Sequence, residues 1–270
     1  MTRLRTALLL SLMLLAPACG DAAPPPAPAA PGADGGVDWT PWARLLERHV
    51  RPGSKGGVEL TRVDYSALAG DGAELRATLS ALAAAEPAAM SRDQRLALWI
   101  NAYNALALEV VRQSWPVDSI RDAGGVLFAK VWDKEVAAVA GAPRSLDEIE
   151  HRILRPMAEP RIHFAIVCAS VSCPDLRREP FRASRLDGQL DAQTRAFLAN
   201  SAKGMRLDRQ RRVVHLSKIF DWFGEDFAAA GGVLAFVARH APAADAAWLR
   251  QQGENVRVEY LHYDWSLNGE

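Results

Sequence analysis

The stretch SRDQRLALWINAYNALALEVVRQSWP, Ser91 to Pro116, decides how this chain folds. Ser91 followed by Gln94 is a capping-box signal for a helix start. Leu96, Trp99, Ile100, Tyr103, Ala107 and Val110 then recur at helical spacing and share one face. Pro116 cannot continue a helix, so the pattern predicts one running to about Ser114. Asn104 lies at the edge of the apolar face and Asn101 one turn below it. An unpaired buried amide costs about 1–3 kcal/mol, so both need partners. They either tie a neighbouring loop to the helix or orient a substrate or a catalytic histidine.

Outward from this helix the chain is rich in further helical patterns and poor in strands. Trp39 to Val50, Glu74 to Ala85 and Ser184 to Ser201 have helical spacing, and two or three short helices fill Ser217 to Gln251. Val58 to Tyr65, Lys130 to Val139, Met205 to Leu207, Arg212 to Leu216 and Val256 to Leu261 suit strands or hairpins. Ile162 to Cys168 is apolar on both faces, which suits a central buried strand. The expected fold is α+β, a mainly helical single domain over residues 38–270 around a small buried sheet. Of 270 residues, 49% are hydrophobic and 24% charged, ample for a packed core. Lys+Arg and Asp+Glu are both 32, so the basic excess expected of a nucleic-acid binder is missing. Three cysteines are too few for a disulfide-built scaffold.

Two segments carry candidate chemistry. In SLDEIEHRILR, Ser145 to Arg155, Ser145 and Glu148 give a second capping box, and Ile149, Ile153 and Leu154 face inward. Glu150 and His151 stand off that line, as a proton-transfer pair or as a solvated polar face. In RIHFAIVCASVSCPD, Arg161 to Asp175, the expected strand runs into a turn of small residues. Ser172 as N-cap would put Cys173 in the first turn of a helix, where the dipole favours a thiolate. Alternating side chains would turn His163 to the strand face opposite Cys168. Cys168 and Cys173 admit three readings: a disulfide, two free thiols with Cys173 reactive, or two inert thiols. No spacing of His and Cys matches a zinc pattern, and no cofactor is expected.

The N-terminus gives an address. Arg3 and Arg5 precede a short apolar run, Ala7 to Leu15, and residues 1–18 have the form of a signal peptide. Leu15-Ala16-Pro17-Ala18-Cys19 resembles the lipobox of bacterial lipoproteins, in which the thiol of the cysteine carries a diacylglycerol. The alternative is an ordinary secretory signal with Cys19 incidental. Gly20 to Val37 holds fifteen Pro, Ala or Gly among eighteen residues, so residues 19–37 suit a tether. Loss of Arg3 and Arg5 leaves 30 basic against 32 acidic residues, a net charge of −2. The expected location is the cell envelope, facing the periplasm or exterior and held to a membrane through a lipid.

Four ordered motifs carry a resemblance: the NAYN helix, SLDEIEHRILR, IHFAIVCASVSCP, and Tyr263-Asp264-Trp265-Ser266-Leu267-Asn268. Together they resemble domain-of-unknown-function family number 547, over Trp42 to Asn268. The resemblance implies one domain with these motifs grouped, and no reaction. Two functions stand open. The first is a lipid-anchored hydrolase or transferase with Cys173 as nucleophile, His163 or His151 as base, Glu150 beside it, and Asn101 or Asn104 as the orienting amide. The second is a binding or scaffolding lipoprotein whose polar cluster holds a small molecule or an envelope partner.

Overall fold

A computed structural model describes residues 32, 34–124 and 131–270. The signal peptide, Cys19 and most of the tether lie outside the described residues. Helix α1, Thr40–His49, turns Trp42, Leu45, Leu46 and His49 inward. It leads into a hairpin of β1, Val50–Lys55, and β2, Val58–Val63, paired from Val50↔Val63 to Lys55↔Val58. Gly56 and Gly57 form its turn with φ of +58° and +81°, which suits glycine. Asp64 caps the short α2, Tyr65–Gly70, by accepting from the Ala67 N–H at 2.9 Å. Helix α3, Ala73–Ala83, follows.

Helix α4, Arg92–Ser114, starts at the expected capping box, with both of its hydrogen bonds present. Its interior differs from a one-faced amphipathic helix. Every residue from Leu96 to Val111 is buried, because α2, α3 and the Glu148–Leu154 turn all pack against it. One hydrophobic core surrounds α4. A small hairpin, β3 Ala137–Val139 and β4 Ala142–Arg144, closes over α3. The segment Glu148–Leu154 is π-helical rather than α-helical, and its widened backbone ends with the Arg155 N–H donating to the Glu150 carbonyl. Ser145 does cap it, accepting from the Glu148 N–H at 3.1 Å.

The expected strand over Ile162 to Cys168 does not form. Pro160–Phe164 is a 3-10 turn, followed by an irregular stretch whose one ladder contact is Ser170 with Leu267. Its apolar residues are buried on two sides by packing and not by a sheet: Ile162 enters the α4 core, and Phe164 enters a second core. In that second core Phe164 meets Phe197, Phe220 and Phe236, with ring centroids 5.3–5.7 Å apart.

The second core is built on α5, Leu186–Ala199, and a three-stranded sheet. In that sheet β5, Met205–Asp208, pairs antiparallel with β6, Val213–Leu216, and β7, Arg257–Tyr260, pairs parallel with β6. Helices α6, Ile219–Trp222, α7, Val233–His240, and α8, Ala243–Gln252, complete it. The C-terminal tail runs back across both cores. Asn268 N–H donates to the Ala169 carbonyl at 3.0 Å and Glu270 N–H to the Val63 carbonyl at 3.1 Å. A Cβ on Gly269 would stand 1.9 Å from the Val63 oxygen, so only glycine fits that crossing. The fold is a mainly helical α+β domain.

Candidate functional site

A cleft of about 260 Å³ opens where the two cores meet. The Glu148–Leu154 turn, Tyr103 of α4, the stretch after Phe164, the end of α6 and the tail all reach it. Its walls are largely aromatic, with Trp132, Trp222, Phe223, Tyr263 and Trp265 lining it. Trp222 is 44% exposed and stacks on Trp265 at 5.7 Å, so one wall of the cleft faces solvent.

Glu150, His151, His163 and Cys173 all line this cleft. The π-helical backbone turns Glu150 in toward α4, where its Oε2 accepts from the Tyr103 hydroxyl at 3.2 Å. Burial pushes the Glu150 carboxyl up to about 7, against the lowering effects of Tyr103 and Arg155. Burial, with Glu150 beside it, also raises the Tyr103 phenol well above its usual value. His151 sits at the mouth, half-exposed, with Nδ1 3.0 Å from Arg155 Nη1.

His163 is buried, its ring stacked 4.2 Å from Phe223. Burial lowers its pKa to about 4, against the raising effect of Asp226, so the ring is neutral at pH 7. Its Nε2 lies 2.7 Å from Asp226 Oδ2. Burial raises the Asp226 carboxyl, but hydrogen bonds from Arg155 and His163 outweigh it and hold the group below its usual value. Asp226 is therefore an acceptor, and neutral His163 must donate from Nε2. That leaves the Nδ1 lone pair 4.0 Å from Glu150 Oε1. Arg155 grips Asp226 with two nitrogens, at 2.7 and 2.9 Å, and Glu225 at 2.6 Å.

Cys173 is not at a helix start. No helix follows it before the 3-10 turn Ala183–Arg185, so no helix dipole acts on its sulfur. Ser172, expected as an N-cap, instead accepts from the Asp264 N–H at 2.8 Å through Oγ. Cys173 is bonded to Cys168 in a disulfide, with Cα atoms 6.2 Å apart. Without a strand, the expected separation of His163 and Cys168 onto opposite faces also fails, and both line the same cleft.

The two asparagines lie outside the cleft lining. Asn104 donates to the Ala165 carbonyl at 3.0 Å and accepts from the Val167 N–H at 2.8 Å. It thus fixes the stretch that carries His163 and Cys168. Asn101 donates to the Phe181 carbonyl and accepts from the Phe181 N–H and Trp42 Nε1. Among the described residues, no group of three His, Cys, Asp or Glu side chains is placed to hold a metal ion.

Several site residues are not singled out by sequence. Arg155 has a local signal, since it stands five residues after Glu150. Tyr103 and Tyr263 lie inside the motifs without a role assigned. Asp226 reads from sequence as a surface or ion-pair residue, and its partnership with His163 is hidden because 63 residues separate them.

Among the described residues, no helix is long and apolar enough to cross a membrane. No curated protein and no solved structure matches the chain significantly. A family described as "Protein of unknown function, DUF547" matches residues 87–198, a shorter span than the resemblance read from sequence. The match takes in Tyr103, Glu150, His163, Cys168 and Cys173, leaves out Asp226 and Tyr263, and supports this domain family for the segment that carries most of the cleft.

Proposed function

We propose that this is a lipid-anchored cell-envelope protein, held through Cys19, that performs hydrolase or transferase chemistry on a small, largely apolar substrate in the aromatic cleft. The observation that carries the reading is Glu150, a buried carboxyl titrating near 7 and facing the cleft. A group with that pKa can take a proton from an attacking water or hydroxyl at neutral pH and return it to the leaving group. Neutral His163, oriented by Asp226 and Arg155, presents its lone pair toward that carboxyl. With Cys173 in a disulfide, this route uses an activated water and not a thiol.

The test is hydrolysis of short-chain p-nitrophenyl esters and amides by the full chain across pH 5–9. The expected profile shows an ionisation near 7, and Glu150→Gln lowers kcat/KM by about 100-fold. A disulfide that leaves no free thiol in the cleft favours a second reading, a binding lipoprotein. Tryptophan fluorescence quenched by apolar ligands, with no turnover and no effect of Glu150→Gln, would select it. The anchor is tested by mass spectrometry of the mature N-terminus. A diacylglyceryl group on Cys19 is expected, and an unmodified N-terminus at another residue would defeat it.

A further inference from the structure

The Cys168–Cys173 disulfide forms part of the cleft wall and is asymmetric. Cys168 is half-buried, whereas Cys173 is only 3% exposed. The Cys168 N–H donates to Cys173 Sγ at 3.0 Å, and the Tyr263 hydroxyl donates to the same sulfur at 3.3 Å. Cys168 Sγ has hydroxyl neighbours of its own, Ser170 Oγ at 3.3 Å and Tyr263 Oη at 3.4 Å, so the preference for negative charge on Cys173 comes from its added backbone N–H. The segment between the sulfurs is held from outside. Val171 N–H donates to the Ser266 carbonyl, Ser172 N–H to the Asp264 carbonyl, and Asn104 grips Val167. If the S–S bond opens, the two cysteines therefore stay beside each other and beside the cleft.

From this geometry we infer that the protein exchanges its cleft disulfide with an apolar, cysteine-bearing peptide, with Cys168 as the sulfur attacked and Cys173 as the leaving thiolate. In the first step, a thiol of the peptide loses its proton to water, and its thiolate attacks Cys168 Sγ. The Cys168–Cys173 bond breaks, its electron pair leaves on Cys173, and a mixed disulfide forms on Cys168. In the second step, a second peptide thiolate attacks the peptide sulfur of that mixed disulfide. The peptide leaves as a disulfide and Cys168 leaves as a thiolate. Both protein thiolates then take protons from water. Two electrons and two protons have passed from peptide dithiol to protein, one peptide per protein. Exchange favours a leaving thiolate that is stabilised, which is the role assigned to Tyr263 and the Cys168 N–H. The aromatic walls suit a peptide with an apolar side chain next to its cysteine. This activity rests on the disulfide, not on Glu150, so it stands or falls separately from the hydrolase reading.

The experiment uses the oxidised full chain without denaturant. It is mixed with the dipeptide Cys-Phe, quenched in acid, and the adduct mapped by peptide mass spectrometry. The expected adduct is on Cys168, formed at least tenfold faster than with Cys-Asp. A second arm adds the peptide Cys-Gly-Phe-Cys and expects one peptide disulfide per protein disulfide lost. Tyr263→Phe should slow the opening about tenfold. If that variant does not fold, Cys173→Ser serves instead, and its unpaired Cys168 should capture oxidised Cys-Phe as a stable mixed disulfide, mapped to Cys168 and not to Cys19. No opening of the native chain, an adduct on Cys173, or a folded Cys173→Ser variant that captures nothing would overturn the inference and leave the pair a structural cross-link.

Discussion

Glu150 and His163 pull the stability of the fold in opposite directions as pH changes. Glu150 has a carboxyl near 7 in the folded chain against 4.5 unfolded. The folded state therefore binds the extra proton, and its contribution is present below pH 4.5 and lost as pH rises through about 7. His163 titrates near 4 folded against 6.5 unfolded. Its contribution is present above pH 6.5 and lost as pH falls through about 4. Each effect is on the order of 3 kcal/mol, so in the native protein they largely offset between pH 4.5 and 6.5. Glu150→Gln removes one side of the balance, and its stability should rise with pH from about 4 to 6.5. His163→Gln removes the other, and its stability should fall from about 4.5 to 7. Urea unfolding at pH 4.5, 5.5 and 6.5 checks both. Profiles parallel to that of the native protein would show that neither group is held as described. Asn104 acts differently, because it holds backbone and not protons. Asn104→Ala leaves the Val167 N–H and Ala165 carbonyl without their partner among buried residues. A loss of about 2–4 kcal/mol is expected from two unpaired buried groups, read as a fall in the urea midpoint at constant slope.

Elements with strong local signals are legible in the amino-acid sequence alone. Helix α4 announces itself through Ser91, Gln94 and Pro116, whose effects act within one turn of the chain. The turn that carries Glu150 is legible as a helix, since Ser145 caps it. Its π-helical widening is not, because no residue type in SLDEIEHRILR demands it. The stretch Ile162 to Cys168 reads as a strand and is none, because two-sided burial has two causes. A parallel sheet gives it, and so does a chain threaded between two cores, as Ile162 and Phe164 are. The cysteine pair is legible only as one of three options, since five residues of separation permit a bridge without requiring it. The tail is legible as a docked end, but not as the cover of a cleft. That cover depends on Gly269 passing the Val63 carbonyl. Gly269→Ala should cost about 1–3 kcal/mol through overpacking. Because the tail carries Tyr263 and Trp265 into the cleft, the same variant should shift tryptophan emission to longer wavelength before global unfolding. A lower melting point with unchanged emission would separate the tail's packing from the cleft.

The two cores meet through the stretch from Pro160 to Pro174, through α5, whose Leu186 and Leu190 enter one core and Phe197 and Leu198 the other, and through the returning tail. A cleft at such a seam can draw Tyr103 from one core and Phe223 from the other, which explains why its residues are scattered along the chain. The same logic applies where the domain meets its tether. Sequence composition places residues 19–37 in the tether, yet the last of them touch the domain. Asp34 pairs with Arg182, Gln94 Nε2 donates to the Gly32 carbonyl at 3.0 Å, and Val37 packs on the α4 core. A partly buried ion pair and one packed valine together contribute about 1–2 kcal/mol. At this domain size each kcal/mol moves the melting temperature by about 2–4 °C. Deleting residues 21–31 should therefore leave the melting temperature within about 1 °C, because a stretch of this Pro, Ala and Gly composition has little apolar surface to bury. Deleting 21–37 should lower it by about 2–8 °C. Differential scanning calorimetry on the two deletions decides it. Equal melting temperatures would mean that residues 32–37 add nothing to the fold and that the tether ends at Val37, whereas a drop confined to the longer deletion moves that end upstream of Gly32.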